Sequence, residues 1–355
     1  MRKIFVFFII LICFIAIFIF YKSSPQEQTI QPSQKIKIVK TETKTSPKED
    51  YLFVPYWTIN EDISSNEMTL VYFGVMGGKN GVEKNEEGYK NLSVFEKNKN
   101  AKNTILVLRM LNTDTNLDIL KDKNIQQKII AETIFLAKKH NFSGIVLDFE
   151  TQGLPFKTLL ESITSMHALF AKQTRLSGLS FATLLFGDTF YRVRPYDVEK
   201  IADVVDRVYI MAYDFSKARG DPGPNFPLNG KDIYGYDFKT MVQDFLHVVP
   251  EHKITVIFGM FGYDWKIDEK GRGRENAVSK STIAFEKFML TCEVVNACNV
   301  ITDSNKSGET NITYVSGENE DHVIWFENSE SVLRKKSYLT DLGLQSVGYW
   351  AYSYY

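Results

Sequence analysis

Two carboxylates two residues apart, Asp148 and Glu150, close an apolar and β-branched run that begins at Ile145. In an extended strand alternate side chains share a face, so the two acids point one way and Phe149 the other. Unpaired buried charge is costly, and a buried strand seldom carries two acids at one end for packing alone. The pattern fits a carboxylate pair at the mouth of a parallel-sheet or barrel site. It also fits a strand that leaves for solvent at Asp148, with Glu150 in the following loop. The surrounding elements decide between the two.

From residue 51 onward, short β-branched and aromatic runs alternate with longer amphipathic stretches. Strands are predicted at 51–57, 69–75, 104–111, 141–150, 179–185, 207–214, 254–262 and 345–352. Helical spacing falls between them at 91–102, 118–140, 156–173, 196–202, 237–247 and 329–342. Residues 118–123 have the pattern of a separate turn. A loop at 217–231 is dense in Gly, Pro and Asn and reads as one that flanks a site. Between strands seven and eight, residues 266–329 lose the alternation. A helix at 281–289 and an antiparallel pair at 311–315 and 321–326 make them a small α+β insertion. Eight strands interleaved with helices over residues 51–355 predict an α/β fold, a (β/α)8 TIM barrel with its site at the C-terminal strand ends. A doubly wound open sheet is the alternative, but no Gly-rich phosphate loop follows strand one.

On a barrel, the strand ends bring further chemistry to the face that holds Asp148 and Glu150. Tyr213 and Asp214 end strand six, Trp350 ends strand eight, and Tyr56 and Trp57 end strand one. Aromatic faces beside a small acid cluster suit a sugar ring, whose C–H face stacks while its polar groups take directed hydrogen bonds. Core packing is the alternative for each aromatic, and for Trp57 it has equal standing.

These strand ends resemble glycoside hydrolase family 18, the chitinase-like barrels. The family's strand-four motif Asp-x-x-Asp-x-Asp-x-Glu corresponds to Ser143 through Glu150. The Gly, the last Asp and the Glu match, while Ser143 and Val146 replace the first two acids. Met211, Tyr213 and Asp214 match Met-x-Tyr-Asp, and Gly348 to Trp350 match the closing tryptophan segment. Strand three has no clear Ser-x-Gly-Gly. Residues 262–265 and 322–329 look most like the spore-cortex and peptidoglycan N-acetylglucosaminidase branch.

The resemblance implies substrate-assisted, retaining hydrolysis of β-1,4-linked N-acetylglucosamine polymers, chitin or peptidoglycan, without a cofactor. Glu150 would be the general acid and then base, and Asp148 would orient the substrate's acetamide and raise the pKa of Glu150. Tyr213 would donate to the acetamide oxygen, with Asp214, Met211, Trp350, Tyr56 and Trp57 lining the substrate site. Valine at position 146 can neither accept a proton nor hydrogen-bond. This leaves open a glycan-binding, chitinase-like protein with weakened catalysis. A wall-tethered structural protein is a third reading.

The rest of the chain bounds where such a protein would work. A net charge of −1 and no basic cluster outside the 22–50 segment exclude an ordinary nucleic-acid binder. The five histidines are scattered and no zinc-ligand spacing is present, so no metal site is expected. Residues 4–21 carry no charge and follow Arg2 and Lys3. The run approaches the ~20 residues that span a bilayer core. Its length and the lack of a small-x-small site favour an uncleaved transmembrane anchor with the rest outside the cytoplasm. A cleaved signal and a secreted protein are the alternative. Residues 22–50, rich in Lys, Gln, Thr, Ser and Pro, are expected to form a disordered linker. Cys292 and Cys298 are open between a disulfide and free thiols. Arg272 and Arg274 are expected in a solvated loop rather than on substrate.

Overall fold

The computed structural model describes residues 49–59, 63–65, 67–302 and 306–355. The expected anchor and nearly all of the expected linker lie outside the described residues. No helix among the described residues is long and apolar enough to cross a membrane.

Eight parallel strands close into a barrel: β1 (Asp50–Pro55), β2 (Met68–Gly78), β3 (Thr104–Met110), β4 (Gly144–Phe149), β5 (Ser180–Phe186), β6 (Arg207–Ala212), β7 (Ile254–Gly259) and β8 (Val347–Trp350). Each pairs with its sequence neighbour, and β8 returns to β1 with Gly348 opposite Tyr51. The strands are buried on both faces, as parallel sheets covered by helices must be. One parity fills the barrel interior with Phe53, Val71, Val107, Val146, Tyr209 and Ile257. The other packs Leu106, Leu147, Ile210 and Val256 outward against the helices.

Helices α1 (Leu92–Asn98), α2 (Thr113–Lys121), α3 (Lys123–Lys139), α4 (Lys157–Leu176), α5 (Val198–Val204), α6 (Phe238–Val248) and, later in the chain, α8 (Ser329–Asp341) form the outer layer, whereas α7 (Thr282–Val294) packs within the inserted piece. The single helical stretch expected at 118–140 divides at Asp122. Its carboxylate accepts from the Asn124 and Ile125 amides and so starts a new helix. Helix α8 opens with a capping box between Asn328 and Ser331.

Strand seven ends earlier than its sequence pattern suggests. Asn225 donates its side-chain amide to the carbonyls of both Gly259 (3.1 Å) and Phe261 (3.2 Å), which takes those carbonyls out of the barrel ladder. The chain then turns away, and Phe261–Lys266 joins a second, five-stranded antiparallel sheet. The inserted α+β piece therefore begins at Phe261 rather than at 266. The expected pair, now Thr310–Val315 and Asp321–Phe326, lies inside this sheet, and Cys298–Thr302 forms one edge. Cys292 on α7 and Cys298 are disulfide-bonded, with their Cα atoms 5.5 Å apart.

A buried ion cluster ties the insertion to the barrel. Lys335 on α8 is fully buried and bonds Glu309 at 3.0 Å and also Glu327. Glu309 in turn accepts from the backbone amides of Asn225 (2.6 Å) and Phe226 (2.7 Å) in the loop after β6. Breaking a buried pair by removing one partner strands the remaining charge. Lys335→Met is therefore expected to lower the unfolding free energy by about 3–5 kcal/mol, read from a denaturant melt. A loss below about 1 kcal/mol, the range of a surface pair, would show that the cluster does not anchor the insertion.

Candidate active site

The acids that end β4 separate by depth. Asp148 belongs to the interior parity with Val146 and is 1% exposed, whereas Glu150 follows the last strand residue and is half-buried at the mouth. Glu150 does not drift into a loop, because its backbone amide continues the sheet by donating to the Met110 carbonyl (2.8 Å). The Asn116 side chain bridges the carbonyls of Met110 (2.7 Å) and Glu150 (2.6 Å). The Tyr196 hydroxyl donates to the Phe149 carbonyl (2.8 Å) and accepts from the Thr151 amide (3.0 Å). The solvent-exit alternative is thereby corrected. The Glu150 backbone is fixed on both sides, and its carboxyl lines a cavity of about 190 Å³.

That cavity is also lined by Met211, Tyr213, Asp214 and Trp350, each at or just beyond a strand end. Trp350 is the hub of its apolar wall. Its ring lies edge-on to Phe73 at 4.7 Å, faces Tyr213 at 6.2 Å with 28° between planes, and meets Trp57 at 6.1 Å. The Trp350–Ala351 peptide is cis. Asp214 turns out of β6 with a left-handed φ of 58°. Its amide donates to Asn225 Oδ1 (2.8 Å), and its carboxylate accepts from the Tyr263 hydroxyl (2.6 Å). The insertion and the Glu309 clamp thus both bear on the position of Asp214.

Two expected contacts are placed differently. Tyr56 and Trp57 form a helical turn after β1 and do not line this cavity. Trp57 is 50% exposed and extends the aromatic surface beside Trp350. Tyr56 packs under the guanidinium of Arg109, 5.1 Å from its ring centre. Asp148 lies beneath the cavity rather than in its lining. Arg272 pairs with Asp268 (2.8 Å) on an exposed loop, and Arg274 is also exposed.

Several lining residues were not singled out in the sequence: Phe73, Phe186, Asp188, Arg194, Lys217 and Phe261. Asp188 grips Arg194 through both carboxylate oxygens (2.5 and 3.0 Å), and the Arg194 guanidinium stacks on Phe186 at 3.7 Å. The signal available was the Phe186-Gly187-Asp188 end of strand five, which carries an acid as the ends of strands four and six do.

Burial dominates the electrostatics. It raises Asp148 well above the usual carboxylate range, the Glu150 charge raises it further, and Arg109 opposes both. Burial also raises Glu150, against the lowering pull of Arg194 and Lys217 and with help from Asp214. Two carboxyls so placed titrate as a pair. Burial and then the surrounding carboxylates push the Tyr213 phenol well up, so it remains a protonated donor. An acid at the mouth that keeps its proton to higher pH than an exposed carboxyl, a buried acid below it, a phenol donor and an aromatic wall can together protonate a leaving oxygen and stabilise adjacent positive charge.

Known proteins resemble this chain in sequence and in fold. The chain is 26% identical over 241 residues to a cortical fragment-lytic enzyme of Bacillus anthracis, covering 65% of this chain and 51% of that protein. It is 23% identical over 237 residues to a putative sporulation-specific glycosylase, YdhD, of Bacillus subtilis, covering 65% and 52%. The chain thus spans about half the length of these relatives. Among solved structures, the spore cortex-lytic enzyme SleL of Bacillus megaterium superposes with a TM-score of 0.68 at 19% identity, covering 86% of this chain and 70% of that one, a likeness of fold. The family model for glycosyl hydrolases family 18 matches residues 22–354, and the chain belongs to that family.

Proposed function

We propose that the protein hydrolyses β-1,4-linked N-acetylglucosamine polymers with retention, using the substrate's acetamido group as nucleophile. The observation that carries this reading is the placement of Glu150. It is fixed through its backbone at the mouth, its acidity is weakened by burial, and its carboxyl makes no hydrogen bond among the described residues. In the first step Glu150 gives its proton to the glycosidic oxygen as the C–O bond breaks. The acetamido oxygen closes on the anomeric carbon to form a cyclic oxazolinium ion, a substrate-assisted route distinct from the two-carboxylate schemes. In the second, the Glu150 carboxylate takes a proton from water as that water opens the ring. Asp148 orients the acetamide N–H and stabilises the positive charge, Tyr213 donates to the acetamide oxygen, and Trp350 stacks on the sugar.

The names of the bacterial relatives favour a cell-wall glycan over chitin as substrate. The uncharged run at 4–21 and the Cys292–Cys298 pairing support a site of action outside the cytoplasm, tethered to the membrane. A glycan-binding protein without turnover is the second reading. It is favoured by the apolar floor below Asp148, where Val146 lies beside Val107 in register.

Loss of general acid–base catalysis typically costs 10²–10⁴-fold. Glu150→Gln is therefore expected to lower kcat by about that factor in reducing-end release from chitin oligosaccharides and cell-wall glycan. Binding without release in both proteins would leave only the second reading. The alkaline limb of the pH–rate profile reports loss of the Glu150 proton. Lys217 pulls the Glu150 pKa down, so Lys217→Met is expected to move that limb of kcat/KM to higher pH. A limb that stays put or moves to lower pH would mean that another group sets it.

A further inference from the structure

Below the cavity, β3 and β4 lie in register with Val107 beside Val146 and, one layer higher, Arg109 beside Asp148. All four side chains belong to the interior parity. Val107 and Val146 are fully buried and make an apolar floor on which Asp148 has no group to share a proton with. Arg109 is 6% exposed. A bulge in β2 between Phe73 and Val75 breaks the ladder at Gly74, and Arg109 donates to the Gly74 carbonyl at 3.0 Å. Its guanidinium lies over two rings, 5.1 Å from the centre of Tyr56 and 5.3 Å from that of Phe73. Arg109 Nε and Asp148 Oδ1 are both buried without a hydrogen-bond partner.

We propose that Arg109 is a positioning residue for the reaction, a fixed cation on the neighbouring strand that takes the place of the acidic partner missing at Val146 and favours the ionised form of Asp148. The inference rests on the hydrolase reading for its catalytic consequence, but not for its electrostatic content. The groups that face Asp148 are Glu150 from its own strand, Arg109 from β3, Tyr213 beyond β6 and Tyr196 before α5. Arg109 is the cation among them. The two cations at the mouth, Arg194 and Lys217, act on Glu150. A carboxylate next to arginine is stabilised in its charged form, and a guanidinium keeps its charge at every working pH. Without that charge Asp148 keeps its proton to higher pH and cannot stabilise the positive charge that forms at the sugar. An apolar floor with a lateral arginine thus does by Coulomb attraction what a shared proton between two acids would do by hydrogen bonding.

The test is the titration of Asp148 in the full-length protein, followed by carbon-13 NMR of labelled aspartate side chains and assigned by difference from Asp148→Asn. It is run for wild type, Arg109→Lys, Arg109→Gln and Arg109→Met, with folding checked by circular dichroism. The lysine variant keeps the charge, glutamine keeps a donor for Gly74, and methionine keeps the packing against Tyr56 and Phe73. Asp148 is expected to titrate at higher pH in both neutral variants and close to wild type in the lysine variant. The acid limb of kcat should move the same way, and kcat at pH 6 should fall roughly tenfold or more in the neutral variants. Unchanged Asp148 titration in whichever neutral variant folds would overturn the proposal, as would equal losses of kcat in Arg109→Lys and Arg109→Met with no change in the pH profile. A shifted titration in a protein whose wild type cleaves no glycan would support the charge role and remove the hydrolase reading instead.

Discussion

The structure of the site depends on keeping the Asp148 carboxyl inside a barrel whose interior is largely apolar. Moving an ionised carboxylate from water into such surroundings costs several kcal/mol even after relaxation. Of the charges around it, Arg109 opposes that cost and Glu150 adds to it. The stacked Arg109 lies at its side, the Tyr213 phenol stands beside the acid pair, and Glu150 sits one step higher towards solvent. Period-two alternation along β4 gives both acids one face, and the strand end gives them different depths. Burial raises both acids, and the shallower one keeps access to the cavity.

A second constraint acts from outside the barrel. The Lys335 cluster buries two glutamates, and one of them fixes the loop that carries Asn225. Asn225 then holds the Asp214 amide on one side and diverts the chain after β7 on the other. The insertion is therefore structurally continuous with the site, since its first strand also contributes Phe261 to the wall and Tyr263 to the Asp214 carboxylate. The left-handed backbone at Asp214 is uncommon for a non-glycine residue, and here hydrogen bonds on both its amide and its side chain hold it.

Much of the barrel was legible because β-branched runs and helical spacing report burial directly, and the polar ends of strands four, six and eight stood out against them. The later part of strand seven was not. Phe261 and Gly262 read as a continuation of the same apolar run, and the break depends on an asparagine more than thirty residues earlier in the chain. Asp122 shows the opposite case, a local cap that splits one periodic stretch in two and was visible as a separate turn. Tyr56 and Trp57 were expected to end strand one, but a three-residue turn after Pro55 aims one ring at Arg109 and leaves the other on the surface. Arg109 itself was hidden, because a lone charge within an apolar strand carries no spacing signal. Only strand register puts it beside Asp148.

The central claim, hydrolysis assisted by the substrate's own acetamide and driven by Glu150, fixes the stereochemistry of the product. Proton NMR of the anomeric signal, recorded as an N-acetylglucosamine oligosaccharide or cell-wall glycan is first cleaved, reads it directly. Closure of the acetamido oxygen on one face and entry of water from the other predict that the new reducing end appears as the β-anomer and only later equilibrates. An α-anomer at first appearance would mean direct displacement by water and would contradict the proposed roles of Glu150 and Asp148.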